Sequence, residues 1–394
     1  MRHARRNLTL LATCQAFMLT CNSLMIAVAG LIGYELAESK WLATLPIALA
    51  HLSTMVTTYP ASLLMARIGR KAGFLLAGCI GLVGTLIAIY AIVNHNFLMF
   101  CVSSIGFGSF TAFGHYYRFT AAEVVEPDYK SRAISWVMAG GVVAALAGPN
   151  LANVSQDWIE GARFAGCYLA LVAVYGASIV AIAFTVLPAP VREDIQTPGR
   201  PLSEIMAQPR FVVAVTCATL GYAIMALIMT ATPLAMHHHT HTFSDVAFVI
   251  QWHVLGMFVP SFFTGHLIRR YGCIPVMLVG GICGVVCVAI NLSGISSWHF
   301  WAALVLLGIA WNFLYIGGTT MLTDTYQPNE KARVQGINDV VVFSTVTVAA
   351  LSAGALHHNL GWETVNLGVT PGLLVVFVSL IALSLRERRL ASAS

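Results

Sequence analysis

Charged residues are missing from this chain over runs long enough to cross a lipid bilayer, and such runs recur along its whole length. Cutting the sequence at its charges leaves 7–34, 41–66, 133–156, 164–191, 211–244, 246–268, 340–362 and 364–385, each sized for one helix. A spanning helix needs about 20 mostly apolar residues. Two further stretches, 72–117 and 271–323, are twice too long and carry polar breaks at Asn94-His95-Asn96 and between Asn291 and His299. They supply four more, which predicts an all-α membrane protein of 12 transmembrane helices. Composition agrees: the chain is 9% charged, where soluble proteins average about a quarter.

Basic residues fix the expected topology, because Lys and Arg accumulate in cytoplasmic loops. With both termini inside, 18 of the 21 basic residues fall inside, and only Lys40, Arg163 and Arg118 do not. The net charge of +5 is therefore a consequence of topology, and a nucleic-acid partner is excluded. The Arg-rich start followed by an apolar run reads as helix 1, since the run is too long for a cleaved signal. Nine cysteines at membrane depth do not form an extracellular disulfide framework.

The hydrophobic pattern lapses between Pro188 and Arg210 amid five prolines. This divides the chain into a six-helix half at 1–187, a cytoplasmic linker at 188–210 and a second six-helix half at 211–394. Glu123-x-x-x-Pro127-x-x-Lys130-x-Arg132 recurs as Asp324-x-x-x-Pro328-x-x-Lys331-x-Arg333, 201 residues later. Arg67-Ile68-Gly69 recurs as Arg270-Tyr271-Gly272. Repeats of six helices are how rocking carriers are built.

Carriers bind cargo near the midplane, so polar or soft side chains at that depth are the candidates. Helix 7 holds Met225-x-x-x-Met229 and helix 8 holds His253-x-x-x-Met257, each pair on one helix face. Met229 and His253 lie roughly 10 and 14 Å deep and Met225 and Met257 roughly 16 and 20 Å. Taken as antiparallel neighbours, the two helices bring four donors to matching depth, and thioether with imidazole suits Cu(I). Packing is the commoner role for a membrane Met. His51 and Met55 lie 202 residues before His253 and Met257, which nominates them as a symmetry-related second metal set. Cys217, two turns inward of Met225, is a candidate relay, with simple packing the commoner role for such a thiol. The loop Met236-His237-His238-His239-Thr240-His241 is either a metal-gathering entrance or plain solvated loop. Asp339 in helix 11 is the clearest intramembrane carboxylate, equally suited to proton coupling or to a structural contact. No catalytic constellation is visible, and no enzyme is expected.

The layout, with Arg67-Ile68-Gly69-Arg70-Lys71 as the loop between helices 2 and 3, resembles the major facilitator superfamily; Ser62 and Ala66 stand where that family usually has Gly and Asp. That resemblance implies the major facilitator fold, two pseudo-symmetric halves, and a gating role for Arg67, Gly69 and Arg70. The paired motifs of helices 7 and 8 resemble those of the CcoA-type bacterial copper importers. This implies a monomer in the bacterial cytoplasmic membrane, with no prosthetic group, that imports copper by alternating access for haem-copper oxidase assembly. Met225, Met229, His253 and Met257 would then ligate the ion, and copper chaperones of oxidase assembly would be its partners. A proton-coupled importer of an organic solute such as riboflavin is the alternative, kept open by Tyr116, Tyr117, Trp252, Trp311 and Tyr315. A non-transporting membrane metal receptor or chaperone is the third reading.

Overall fold

The structure, a computed structural model, describes residues 2–126, 129–187 and 199–393. The first part of the predicted linker, 188–198 with Arg192, lies outside the described residues, as does Pro127 of the repeated motif. Every regular element among the described residues is a helix. The first ten spans are Ala4–Leu36, Lys40–Ile68, Arg70–Val93, Phe97–Glu123, Trp136–Ser155, Ala165–Ala183, Pro209–His238, Phe243–Tyr271, Cys273–Ser293 and Ser297–Thr323, numbered helices 1 to 10. An eleventh apolar segment, Arg333–Leu390, is 58 residues long. At a rise of 1.5 Å per residue it would extend about 87 Å, far more than one crossing. It turns at Gly361, whose φ is 81°, and restarts at Thr370. Helix 11 (Lys331–Leu367) and helix 12 (Thr370–Ala393) are thus its two passes, which accounts for the twelve expected.

Local chemistry sets the ends and bends. Asn96 caps helix 4 by accepting from the Met99 amide, and Thr242 with Asp245 forms a capping box on helix 8. Helix 8 breaks after Phe258 at Pro260, whose ring cannot continue the hydrogen-bond ladder. Helix 4 breaks at His115 and Tyr116. Both breaks place aromatic side chains at the centre of the bundle.

Lipid tails are as apolar as the helix faces, so association relies on close backbone approach and interhelical hydrogen bonds. Gly308 of helix 10 lies so near helix 8 that a Cβ there would stand 2.5 Å from the His253 carbonyl oxygen. Gly318 meets the Ala214 carbonyl of helix 7 in the same way. Helix 10 is therefore wedged between helices 7 and 8. Polar contacts secure the matching pairs in each half. Ser53 and Thr54 of helix 2 donate to the Ile105 and Gly108 carbonyls of helix 4, while Asn312 of helix 10 bonds Ser261 and the Met257 carbonyl of helix 8.

The halves meet along two seams, helix 2 on helix 11 and helix 5 on helix 8. Away from the arginine loops the seams are closed. The Gly354 amide donates to Thr44 Oγ1 at 3.1 Å, Asn150 donates to Gln251, and the Tyr34 and His237 rings lie 6.1 Å apart. Midway, the Ser344 hydroxyl donates to the Met55 sulfur at 3.0 Å. One turn further toward the arginine loops, Tyr59 and Val340 continue these two faces, yet they are 71% and 55% exposed. Among the described residues the helix 2–helix 11 seam is hydrogen-bonded at one end and its faces are exposed toward the basic end.

The described tail of the linker is tied to the second half. The Arg200 amide and guanidinium both donate to Glu330, and Arg200 also reaches the Thr325 carbonyl. The guanidinium holds the Glu330 carboxyl far below its ordinary range, at about 2. A carboxyl depressed on folding adds stability at pH values above its unfolded value and loses it only as pH falls through the folded one. Acidification from neutrality to about pH 4 should therefore leave this clamp intact. Glu330→Gln should release it, raising hydrogen exchange at the Arg200 and Gln327 amides; unchanged exchange would remove the clamp from the fold. Gly69 and Gly272 turn the chain between helices at φ 88° and 87°, a region nearly closed to other residues. Gly69→Ala should lower the melting temperature in detergent, at a cost of about 1–3 kcal/mol. Gly176→Ala, in open space within helix 6, should not.

Candidate functional site

The four soft donors of helices 7 and 8 are all buried, Met257 the most exposed at 8%. His253 donates through Nδ1 to the Leu304 carbonyl of helix 10 at 2.8 Å, a role forced by the acceptor. Its Nε2 is buried and has no partner. Met225 lies one turn beyond Gly221, the residue on which Leu314 of helix 10 packs. His253 thus leans on helix 10 from one side and the helix 7 face that carries Met225 from the other, and helices 7 and 8 meet far less than either meets helix 10. The expected adjacency does not hold. A short loop joins these helices in sequence, but the small residues of helix 10 let it pass between them.

The symmetry-related set separates in the same manner. Met55 faces Ser344 on the seam between helices 2 and 11, whereas His253 lies against helix 10 beside the other seam. His51 Nε2 is buried without a partner. Cys217 packs with Met277 and Leu380 between helices 7, 9 and 12, away from Met225. In the histidine loop, His241 bonds the Ile295 carbonyl and Ser297, and His237 packs on Tyr34. No three His, Cys, Asp or Glu side chains among the described residues come together as a metal-binding group. In the gating loop, Arg70 pairs with Glu123 at 2.7 Å, Gly69 makes the turn and Arg67 is exposed.

Aromatic rings gather in the middle of the bundle beside these sulfurs. Trp311 and Tyr315, four residues apart on helix 10, stack at 5.2 Å with 16° between their planes. Tyr222 of helix 7 sets its edge against both, at 5.5 and 5.3 Å. Phe258 of helix 8 lies 6.2 Å from Trp311, and Phe343 of helix 11 lies 6.0 Å from Tyr222. The first half contributes His115 of helix 4, 6.0 Å from Phe343. Trp311 is about 21 Å from one end of its helix and about 18 Å from the other, which is the midplane. Polar edges accompany the rings: Trp311 Nε1, Arg118 Nε and Asn338 Oδ1 are buried without partners. An aromatic cluster of this kind, the core of a candidate binding chamber, can offer ring faces to a flat conjugated molecule and hydrogen bonds to its rim.

Of the aromatic residues that the sequence nominated, Trp311 and Tyr315 line this chamber, and Tyr116 borders it with its hydroxyl on the Thr58 carbonyl. Tyr117 instead packs against Phe74 inside the first half, and Trp252 lies among Phe248 and Trp301 on the outside of helices 8 and 10. Tyr222, Phe258, Phe343 and His115 were missed. The one local signal was the four-residue spacing of Trp311 and Tyr315.

The sequence profile of the Major Facilitator Superfamily matches residues 8–239 and 212–393. The chain is 41% identical over 381 residues to the riboflavin transporter RfnT of Brucella anthropi, covering 96% of each protein. It is 29% identical to the uncharacterized MFS-type transporter YdeG of Bacillus subtilis, over 91% of this chain and 83% of that one. Among solved structures, the nucleoside transporter NupG superposes with a TM-score of 0.71 at 13% identity, covering 95% of this chain and 99% of that one. The fold expectation stands. The 41% match is to a riboflavin transporter, where the paired motifs had pointed to a copper importer.

Two substitutions separate packing from chemistry here. Met229→Leu conserves volume and apolarity and should change stability by less than about 1.5 kcal/mol. Asn312→Leu removes the donor to Ser261 and the Met257 carbonyl, while Thr264 keeps the Pro260 carbonyl, and should cost about 1–3 kcal/mol for each group left unsatisfied. Thermal melts in detergent compare them; equal losses would mean that the polar seam of helices 8 and 10 contributes nothing.

Proposed function

Because the chain belongs to the Major Facilitator Superfamily, we propose that it is a secondary importer of a planar heteroaromatic solute, riboflavin, working by alternating access. Family membership supports a multi-pass membrane transporter. The observation that carries the cargo reading is the midplane chamber in which Trp311, Tyr315, Tyr222, Phe258, Phe343 and His115 converge from five helices and both halves. A flavin ring system presents a wide π-face and a rim of carbonyl and imide groups. The chamber offers stacked aromatics for the first and unpaired donors and acceptors for the second. The relative named a riboflavin transporter supports the same cargo.

The basic end, where the arginine loops lie, is the cytoplasmic side on this reading. Both chain termini face the cytoplasm, and the membrane is the bacterial inner one. No prosthetic group takes part.

Copper import is the second reading, favoured by one observation: Met225, Met229 and Met257 are buried sulfur donors and His253 keeps a free, buried Nε2. Under it the ion is cargo, and copper chaperones would be the partners. The separation of the two pairs by helix 10 weighs against a single ion held by all four.

Uptake into proteoliposomes offering riboflavin and copper in parallel decides between them. Riboflavin should accumulate, with affinity reduced about tenfold or more by Trp311→Ala, the loss expected for one stacking platform of roughly 1–3 kcal/mol. Met229→Leu should leave that uptake unchanged. Copper uptake that Met229→Leu abolishes, without riboflavin uptake, would reverse the order of the two readings.

A further inference from the structure

A cavity of about 570 Å³ lies at the end of the bundle away from the arginine loops. Its volume falls within the span of about 300–1,000 Å³ usual for small-molecule sites. Both halves build it. Glu35 of helix 1, Asn153 of helix 5 and Arg163 of the following loop come from the first half; Thr240 and Ser244, at the turn into helix 8, come from the second. The chamber does not reach it, since Glu35 is one residue from the end of helix 1 whereas Trp311 is about 21 Å from that end of helix 10.

Two ring contacts join the halves beside this cavity. Phe164 meets Phe243 edge-on at 5.1 Å, and Tyr34 meets His237 at 6.1 Å. The backbone here is strained: Phe164 and Thr240, with φ of 68° and 62°, are two of the three non-glycine residues at positive φ among the described residues. A phenylalanine rarely adopts that conformation, and such strain gathers at ligand clamps and switches. The Phe164 amide, donating to the Gln156 carbonyl at 2.7 Å, keeps it in place.

The polar lining is oriented but not used up. Arg163 donates to the Gln156 side chain at 3.1 Å and lies over the Phe164 ring at 4.7 Å. Glu35 and Asp157, both lining the cavity, have no side-chain hydrogen bond and no ion pair among the described residues. Two carboxylates, one guanidinium, an amide, hydroxyls and an aromatic wall suit a neutral chain of hydroxyl groups, each of which can donate to a carboxylate and accept from the guanidinium or amide. A solute gripped by both halves binds only while they are together at this end. Its binding therefore favours that arrangement over one in which the end opens.

We propose that this cavity is a second solute site, for a neutral polyhydroxylated chain, and that its occupant holds the outer end of the carrier shut. The inference goes beyond the cargo reading and takes from it only the orientation in the membrane. A free polyol and the ribityl chain of riboflavin both present this chemistry.

The test uses the full chain, with ribitol as the hydroxylated chain alone and lumichrome as the flavin ring without it. Titration calorimetry should show saturable ribitol binding. That binding should weaken about tenfold or more in Glu35→Gln combined with Asp157→Asn, and likewise in Ser244→Trp, which fills the cavity from an exposed position at the start of helix 8. Ribitol should also slow hydrogen exchange at the Phe164 amide. In proteoliposomes, outer ribitol should inhibit riboflavin uptake, saturating riboflavin should not relieve the inhibition, and the variants should escape it relative to their own uptake without ribitol. Displacement of bound ribitol by riboflavin but not by lumichrome would make the cargo's own chain the occupant; displacement by neither would make free polyols the occupant. Absence of saturable ribitol binding, binding that survives either variant, displacement by lumichrome, tighter binding of choline, or inhibition that riboflavin relieves would each overturn the proposal. A carrier that moves no riboflavin would sink the cargo reading alone, and titration and exchange would then decide the site.

Discussion

Backbone approach at small residues is the interaction on which this bundle depends. In lipid there is no hydrophobic gain from burying one apolar helix against another, so helices stay together where glycines let main chains touch and where polar side chains find partners. Gly308 against the His253 carbonyl and Gly318 against the Ala214 carbonyl draw helix 10 between helices 7 and 8. That placement decides the site. It brings Trp311 and Tyr315 to the axis of the bundle, where Tyr222 and Phe258 reach them from either side, and it holds the methionines of helix 7 apart from the histidine of helix 8.

The two seams between halves are built on a gradient of contact. The helix 2–helix 11 seam is hydrogen-bonded at one end, touches at Met55 and Ser344 midway, and leaves Tyr59 and Val340 exposed. Such a seam can tilt about its middle without breaking the polar contacts that bind helix 2 to helix 4 or helix 8 to helix 10. The chamber sits at that pivot, which is where a rocking carrier must keep its cargo reachable from alternate sides.

Much of the architecture was legible because membrane solvation leaves a coarse mark on sequence. Charges cut the chain into spans, and the recurrence of Arg67-Ile68-Gly69 as Arg270-Tyr271-Gly272 marked equivalent turns, both of which the structure builds on a glycine with positive φ. The site was less legible. Four-residue spacing shows that His253 and Met257 share a face, but nothing in a single helix says what that face opposes; here it is helix 10. Tyr222, Phe343 and His115 carry no spacing signal at all, since they come together from separate helices. Trp252 misled for a related reason: an indole suits the lipid boundary as well as a binding chamber.

The halves also differ in how they join loop to chamber, and the difference bears on the unusual gating loop. Ala66 provides no carboxylate in that loop, but Glu123 provides one from the end of helix 4 and pairs with Arg70 at 2.7 Å. Arg70 also lies over the Tyr116 ring at 5.4 Å, so one guanidinium connects the loop to the border of the chamber. In the second half the residue following the matching turn is Cys273, which cannot do this. Its counterpart of Glu123, Asp324, is instead 3.6 Å from Arg210, which also binds Glu387 and so ties helices 7, 10 and 12 to one another. That tie stiffens a half without touching the chamber. The first half therefore has the shorter physical path from occupied chamber to moving loop, and cargo that shifts Tyr116 would be felt at the Arg70–Glu123 pair before any equivalent contact in the second half.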